Sequence, residues 1–105
     1  MTGRIAAHQA EAFRSELAEG YSLTYIAKKW GVSEATVKRH ASYDLAGKKL
    51  LVGTEVHVEG WRGRWRFMGE VGYTVGGRQH AKFGNVRTGR TRIFYTELIT
   101  TVHRK

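Results

Sequence analysis

The 105-residue chain carries 18 Lys and Arg against nine Asp and Glu, a net charge of +9, and holds neither Cys nor Pro. Without cysteine, disulfide frameworks and thiolate metal sites are excluded, and a chain of this length holds one ordinary domain or two very small ones that must pack together. The opening residues lack an apolar core of signal-peptide length and no run approaches the ~20 apolar residues that cross a bilayer, so a cytoplasmic protein with no membrane partner is expected.

The charge is unevenly placed. Residues 1–47 carry six Lys and Arg against five acids, a net +1, whereas residues 48–105 carry twelve against four, a net +8. Such an excess favours polyanions, nucleic acid foremost.

Between residues 5 and 19, Ile5, Ala6, Gln9, Ala12, Phe13 and Leu17 recur at helical spacing, and Gly20 is a natural stop. This predicts a supporting helix whose apolar stripe covers Ile26, Trp30 and Val37. Ser22 then caps a second helix carrying Ile26, Ala27 and Trp30. Gly31 supplies the positive φ of a tight turn, and Ser33 caps a third helix carrying Val37. Ala27 falls where the two helices cross and a larger side chain would push them apart, while Val32 and Val37 bury the inner face. The helical unit is expected to end near Tyr43 or Leu45.

With these residues in these places, segment 23–42 resembles the helix-turn-helix superfamily of bacterial and phage DNA-binding proteins, particularly small phage regulators and the DNA-binding ends of resolvases and transposases. The run from Ser33 to Arg39 carries the match, and His40 departs from it, standing where an aliphatic or aromatic residue more often closes the core. The resemblance implies that the third helix enters the major groove of double-stranded DNA, with Ser33, Glu34, Ala35, Lys38, Arg39 and Ser42 facing the bases and Thr36 near a phosphate. In that role Arg39 suits bidentate contact to guanine, Lys38 guanine or phosphate, and Glu34 a cytosine amine.

Residues 46–49 read as a short linker within Asp44 to Lys49, and beyond it the periodicity changes from helix to strand. Val56 and Val58 alternate with Glu55, His57 and Glu59. Trp61, Trp65, Phe67, Val71, Tyr73 and Val75 share odd parity, which predicts one bent strand, or two interrupted at Gly69 or Gly72. A turn at residues 75–78 precedes a third strand near residues 80–87, with a bulge at Gly84 and Asn85 where the apolar parity slips. Thr88, Gly89 and Arg90 form a hairpin turn, residues 92–95 a fourth strand, residues 96–98 a single helical turn and residues 100–103 a last strand. Short curved strands in this order resemble the SH3-like barrels, which include Tudor and KOW modules.

On a strand, the parity around Trp65 and Phe67 would turn both inward and leave Arg62, Arg64 and Arg66 as an outer row about 6.5 to 7 Å apart, a spacing suited to successive phosphates. A solvated edge that discourages sheet-to-sheet pairing is the alternative use of such a row. Arg78, Lys82, Arg87, Arg90 and Arg92 add to the field, and Trp61 is free to pack against the helical unit.

Little points to catalysis. His8, His40, His57, His80 and His103 form no i, i+3 or i, i+4 pair and have no carboxylate cluster, so no metal site is expected. The fragment His57-Val58-Glu59 lacks the Pro and Cys partners of a zinc deaminase, and Gly47-Lys48-Lys49 lacks the rest of a P-loop. No enzyme and no cofactor is expected.

The sequence therefore reads as an α+β chain: a three-helix helix-turn-helix unit at residues 1–45, a linker at 46–49, and a small SH3-like antiparallel β-barrel at 50–105. The expected function is sequence-specific binding of double-stranded DNA by a small phage or bacterial transcriptional regulator, with the basic barrel adding backbone contacts. Two alternatives stay open: an adaptor whose barrel binds an acidic protein partner, and an RNA-binding protein using the Trp and Arg surface. Composition leaves the oligomeric state open.

Overall fold

Serine and glycine set the helix boundaries. The computed structural model describes residues 6–103 and has three helices: α1 (Ala7–Glu19), α2 (Leu23–Trp30) and α3 (Glu34–Ala41). Ser22 Oγ accepts the Tyr25 amide at 3.1 Å and Ser33 Oγ the Thr36 amide at 3.1 Å, so each serine satisfies an amide that its helix cannot. Gly20 (φ 104°) and Gly31 (φ 66°) take the left-handed backbone that ends α1 and α2. The sequence reading began α1 at Ile5, which lies outside the described residues.

The helices pack as the apolar stripes predict. Phe13 and Leu17 of α1, Ile26 and Ala27 of α2, and Val37 and Ala41 of α3 are all buried. Phe13 meets Trp30 edge to face at 5.9 Å. Glu16 accepts from Lys29 Nζ at 2.6 Å and from Trp30 Nε1 at 3.2 Å, tying α1 to α2, while Arg14 donates to the His40 carbonyl at 2.9 Å, tying α1 to the end of α3. His40 itself is half-buried. Val37 and Ala41 are the residues that α3 buries there.

After α3 come seven strands: β1 (Ser42–Leu45), β2 (Lys48–Leu51), β3 (Glu55–Val58), β4 (Trp65–Tyr73), β5 (Gln79–Asn85), β6 (Thr91–Tyr95) and β7 (Ile99–His103), with a 3₁₀ turn at Thr96–Leu98 before β7. The linker expected at residues 46–49 is not one. β1 and β2 form an antiparallel hairpin in which Leu45 pairs with Lys48, leaving Ala46 (φ 50°) and Gly47 (φ 81°) as the two turn residues. Two positive φ values match the twist of a two-residue hairpin, a turn usually signalled by Asn-Gly or Asp-Gly and here built with alanine in the first place. Leu45, Leu50 and Val52 are buried, and Gln79 holds the turn down through the Ala46 amide (3.1 Å) and the Asp44 carbonyl (2.8 Å). Helix α3 correspondingly stops at Ala41, so residues 42–45 belong to a strand instead of the helical unit.

The other five strands pair in the order β6-β5-β4-β3-β7, with β6 and β7 as open edges, so the sheet is not closed. Its register shifts lie in β4 and, in the pairing of β3 with β7, between His57 and Val58, and not at Gly84 and Asn85. Between the pairs Phe67–Phe83 and Val71–Ala81, β4 spends two more residues than β5, and Gly69 (φ 90°) sits in the bend against the Val52 side chain. The parity slip after Phe83 has a simpler cause: β5 ends at Asn85, whose Oδ1 accepts the Arg87 and Thr88 amides in the hairpin loop.

One apolar cluster runs from Phe13 and Val37 through Leu45 and Val52 to Phe67, Phe83 and Phe94, joining helices and sheet. Helices and sheet approach closely at Gly53, between β2 and β3, where a Cβ would lie 2.7 Å from the Leu17 carbonyl oxygen. No helix among the described residues is long and apolar enough to cross a membrane.

Gly31 and Gly53 separate backbone strain from crowding. Both have positive φ, but a Cβ on Gly31 meets nothing within 4 Å. Gly31→Ala should cost about 1 kcal/mol, the left-handed penalty alone, and Gly53→Ala about 2–4 kcal/mol because the Leu17 backbone must also move. Urea unfolding of the two variants measures the difference.

Candidate functional site

On α3, Val37 and Ala41 face the core, and the residues one turn apart on the other side face out. Ser33, Glu34, Ala35, Lys38 and Arg39 are exposed, and Thr36 and Ser42 are half-buried. The Ser33 and Thr36 hydroxyls lie 2.9 Å apart within the cap, and Glu34 Oε2 accepts from Thr24 Oγ1 of α2 at 3.0 Å, so these three groups are already engaged. Lys38 and Arg39, in the last turn, are paired with no carboxylate among the described residues. Ser42 is the extended residue that ends α3 and opens β1.

The expected outer row of arginines is broken. Strand β4 begins at Trp65, and Gly63 (φ 84°) turns the chain before it, so Arg62 and Arg64 lie in a loop and Arg66 alone is on the strand. Trp65 and Phe67 do face inward, at 4% and 0% exposure. Arg64 Nη1 pairs with Glu55 Oε1 at 3.3 Å. The Arg66 guanidinium lies over Gly20, where a Cβ would be 3.4 Å away, and a cation there also suits the negative end of α1. Trp61 packs on Phe94 and Trp65 of the sheet instead of on the helices.

What the row loses in regularity it regains through packing. A groove of about 930 Å³ runs between the helices and the sheet, and Glu34, Ala35, Lys38, Arg39 and Ser42 of α3 line it together with Arg64 and Arg66. Lys49 of β2 also reaches it, so five Lys and Arg side chains face two carboxylates, Glu34 and Glu55. Ser33, Thr36 and Arg62 lie outside it. Lys49 falls in the expected linker and so outside the expected site; the alternation of Lys49 with buried Leu50 is the signal that places it on a strand. Farther along the sheet, Arg78 pairs with Glu97 and lies over the Tyr95 ring, and Lys82 pairs with Glu70.

Histidine spacing along the chain also concealed a pair. His57 and His103 meet across β3 and β7, with His103 Nε2 2.9 Å from His57 Nδ1, and His103 borders the groove. Among the described residues no third ligand joins them in a cluster able to hold a metal. Partial burial, with the nearby Arg64 and His57 charges, holds His103 below its ordinary value of 6.5, while Glu55 acts the other way.

Residues 22–105 match the domain of unknown function DUF7246, and the chain belongs to that family. The match takes in α2, α3 and all seven strands, so the helical pair and the sheet occur together in it. No curated protein and no solved structure matches the chain.

Because folding disfavours the protonated form of His103, the unfolded chain binds more protons below 6.5. Stability should be complete above that value and decline as pH falls through the lowered one. His103→Gln should flatten the decline between about pH 7 and 5, above the carboxylate range, in a series of urea unfolding curves.

Proposed function

We propose that this protein binds double-stranded DNA with sequence preference, inserting α3 into the major groove while Lys49, Arg64 and Arg66 contact the phosphate backbone. One observation carries the reading: the exposed face of α3 and the basic side chains of β2, of β4 and of the loop before β4 share a single groove, with five cations against two carboxylates. A major groove about 12 Å wide admits one helix, and phosphates flanking it meet whatever borders that helix. Arg39 and Lys38 are the base-reading candidates, since no carboxylate among the described residues holds either. Glu34, whose Oε2 accepts from Thr24, is the candidate to accept from a cytosine amine.

Two features support the helix-turn-helix and SH3-like readings of the parts. The two capped helices are joined through a left-handed glycine, and the five-stranded sheet has the order β6-β5-β4-β3-β7 with a 3₁₀ turn before its last strand. In this reading the sheet is an incompletely hydrogen-bonded barrel that carries half of the interface. Transcriptional regulation in a bacterial or phage setting is the use that follows from the resemblance.

Selection of bound duplexes from a random pool tests the reading, and failure to enrich any sequence would remove it. Arg39→Ala should weaken binding to the selected duplex by about 1–3 kcal/mol and relax preference at one base pair. Equal loss on random duplex would make Arg39 a phosphate contact. Replacing Arg64 and Arg66 with Gln should make log affinity against log salt shallower by about 1.8 while base preference stays, since each phosphate contact contributes about 0.9 to the slope. Arg62→Gln, outside the groove, should leave the slope unchanged.

A further inference from the structure

The loop joining β3 to β4 does something the duplex groove does not use. It folds Trp61 back over the sheet, where the ring rests on Phe94 at 5.1 Å and on the edge of Trp65 at 6.1 Å, yet stays 42% exposed. The Arg92 guanidinium covers the ring 4.5 Å from its centre. Beside this stack is an open surface depression of about 440 Å³ lined by Trp61, Lys82, Thr91, Arg92, Ile93 and Phe94. That volume is no smaller than ligand clefts in general, about 300–1,000 Å³.

We propose that this depression seats an unpaired base of a DNA strand, stacked on the Trp61–Arg92 pair, with the flanking phosphates held by Arg87 and Arg90. The shape and charge of the pocket both select such an occupant. Its walls are a flat indole, a flat guanidinium and the side chain of Ile93, which is 66% exposed on strand β6. Flat π and guanidinium surfaces grip a base without requiring a particular one. No carboxylate lines the depression, and Arg87, Arg90 and Arg92 are exposed and, among the described residues, paired with none. An acidic peptide would satisfy the cations but leave the stacking walls unused.

The location gives the seat a purpose. Trp61 lies three residues before Arg64, which lines the duplex groove, so a strand leaving a duplex bound there can follow this loop to the pocket. The preferred ligand is then a duplex with a single-stranded tail. This last step and the choice of DNA over RNA rest on the duplex-binding reading, whereas the seat for an unpaired base does not.

Tryptophan emission of the full chain is titrated with an eight-nucleotide thymidine strand, and affinities are measured for a blunt duplex and the same duplex carrying that strand as a tail. The thymidine strand should quench the emission, and the tail should tighten duplex binding about tenfold, the effect of roughly one stacked base. Trp61→Leu and, separately, Arg92→Gln should abolish both effects and leave blunt-duplex affinity unchanged. If circular dichroism shows Trp61→Leu unfolded, Arg92→Gln carries the test, because that exposed side chain can be replaced without opening the core. Absence of quenching, or quenching that survives Arg92→Gln, overturns the seat. Binding of an eight-nucleotide uridine strand but not the thymidine one overturns its assignment to DNA. Blunt-duplex binding without quenching by the thymidine strand removes the seat and leaves the duplex reading standing; quenching by the thymidine strand without duplex binding does the reverse, and quenching together with duplex binding that the tail does not tighten overturns the path from groove to seat.

Discussion

Everything in this molecule depends on one shared core. Helix α1 lies against both α2–α3 and β4, and the contact is close enough that the Gly53 backbone abuts the carbonyl of Leu17. Two separate cores in a chain of 105 residues would each be marginal by apolar burial alone, and one continuous cluster from Phe13 to Phe94 removes that difficulty. The β1–β2 hairpin completes it, placing Leu45, Leu50 and Val52 in the seam and letting Tyr43 meet Phe67 edge to face at 5.4 Å.

That seam also produces the groove. Because the sheet is fixed to α1, and α1 to α3 through Arg14 and the His40 carbonyl, the outer face of α3 and the start of β4 hold a fixed relation. Arg66 then lies over the end of α1, and Arg64 is oriented by Glu55. Both arginines have a structural partner and still border the groove. Positioning charges in this way lowers the ordering cost of meeting a polyanion, since each side chain is already partly fixed. The groove excess of five cations over two acids is small in number, and its effect comes from convergence.

Much of the helical half was legible because its signals are local. Ser22, Gly31 and Ser33 act within three or four residues of themselves, and the stripe of Phe13, Leu17, Ile26 and Val37 follows from a single period. The strands of the sheet were also legible in outline, down to the turn at residues 96–98. What escaped reading depends on contacts across the chain. Ala46 takes a positive φ in a turn held by Gln79, thirty-three residues away, and no local rule favours alanine there. Gly63 breaks the arginine row because Trp61 returns to Phe94, and His57 finds His103 only through strand pairing. Of the site, the α3 residues were legible from the motif, and Lys49 was not, because its strand was read as linker.

The central claim is that α3 and the start of β4 form one duplex-binding surface. Its most direct test is a titration of the isotope-labelled protein with selected duplex, followed by backbone amide resonances. The account predicts that signals of Glu34, Ala35, Lys38 and Arg39 shift together with those of Lys49, Arg64 and Arg66, all fitting one dissociation constant. Shifts confined to α3, with Lys49, Arg64 and Arg66 unmoved at saturation, would contradict it.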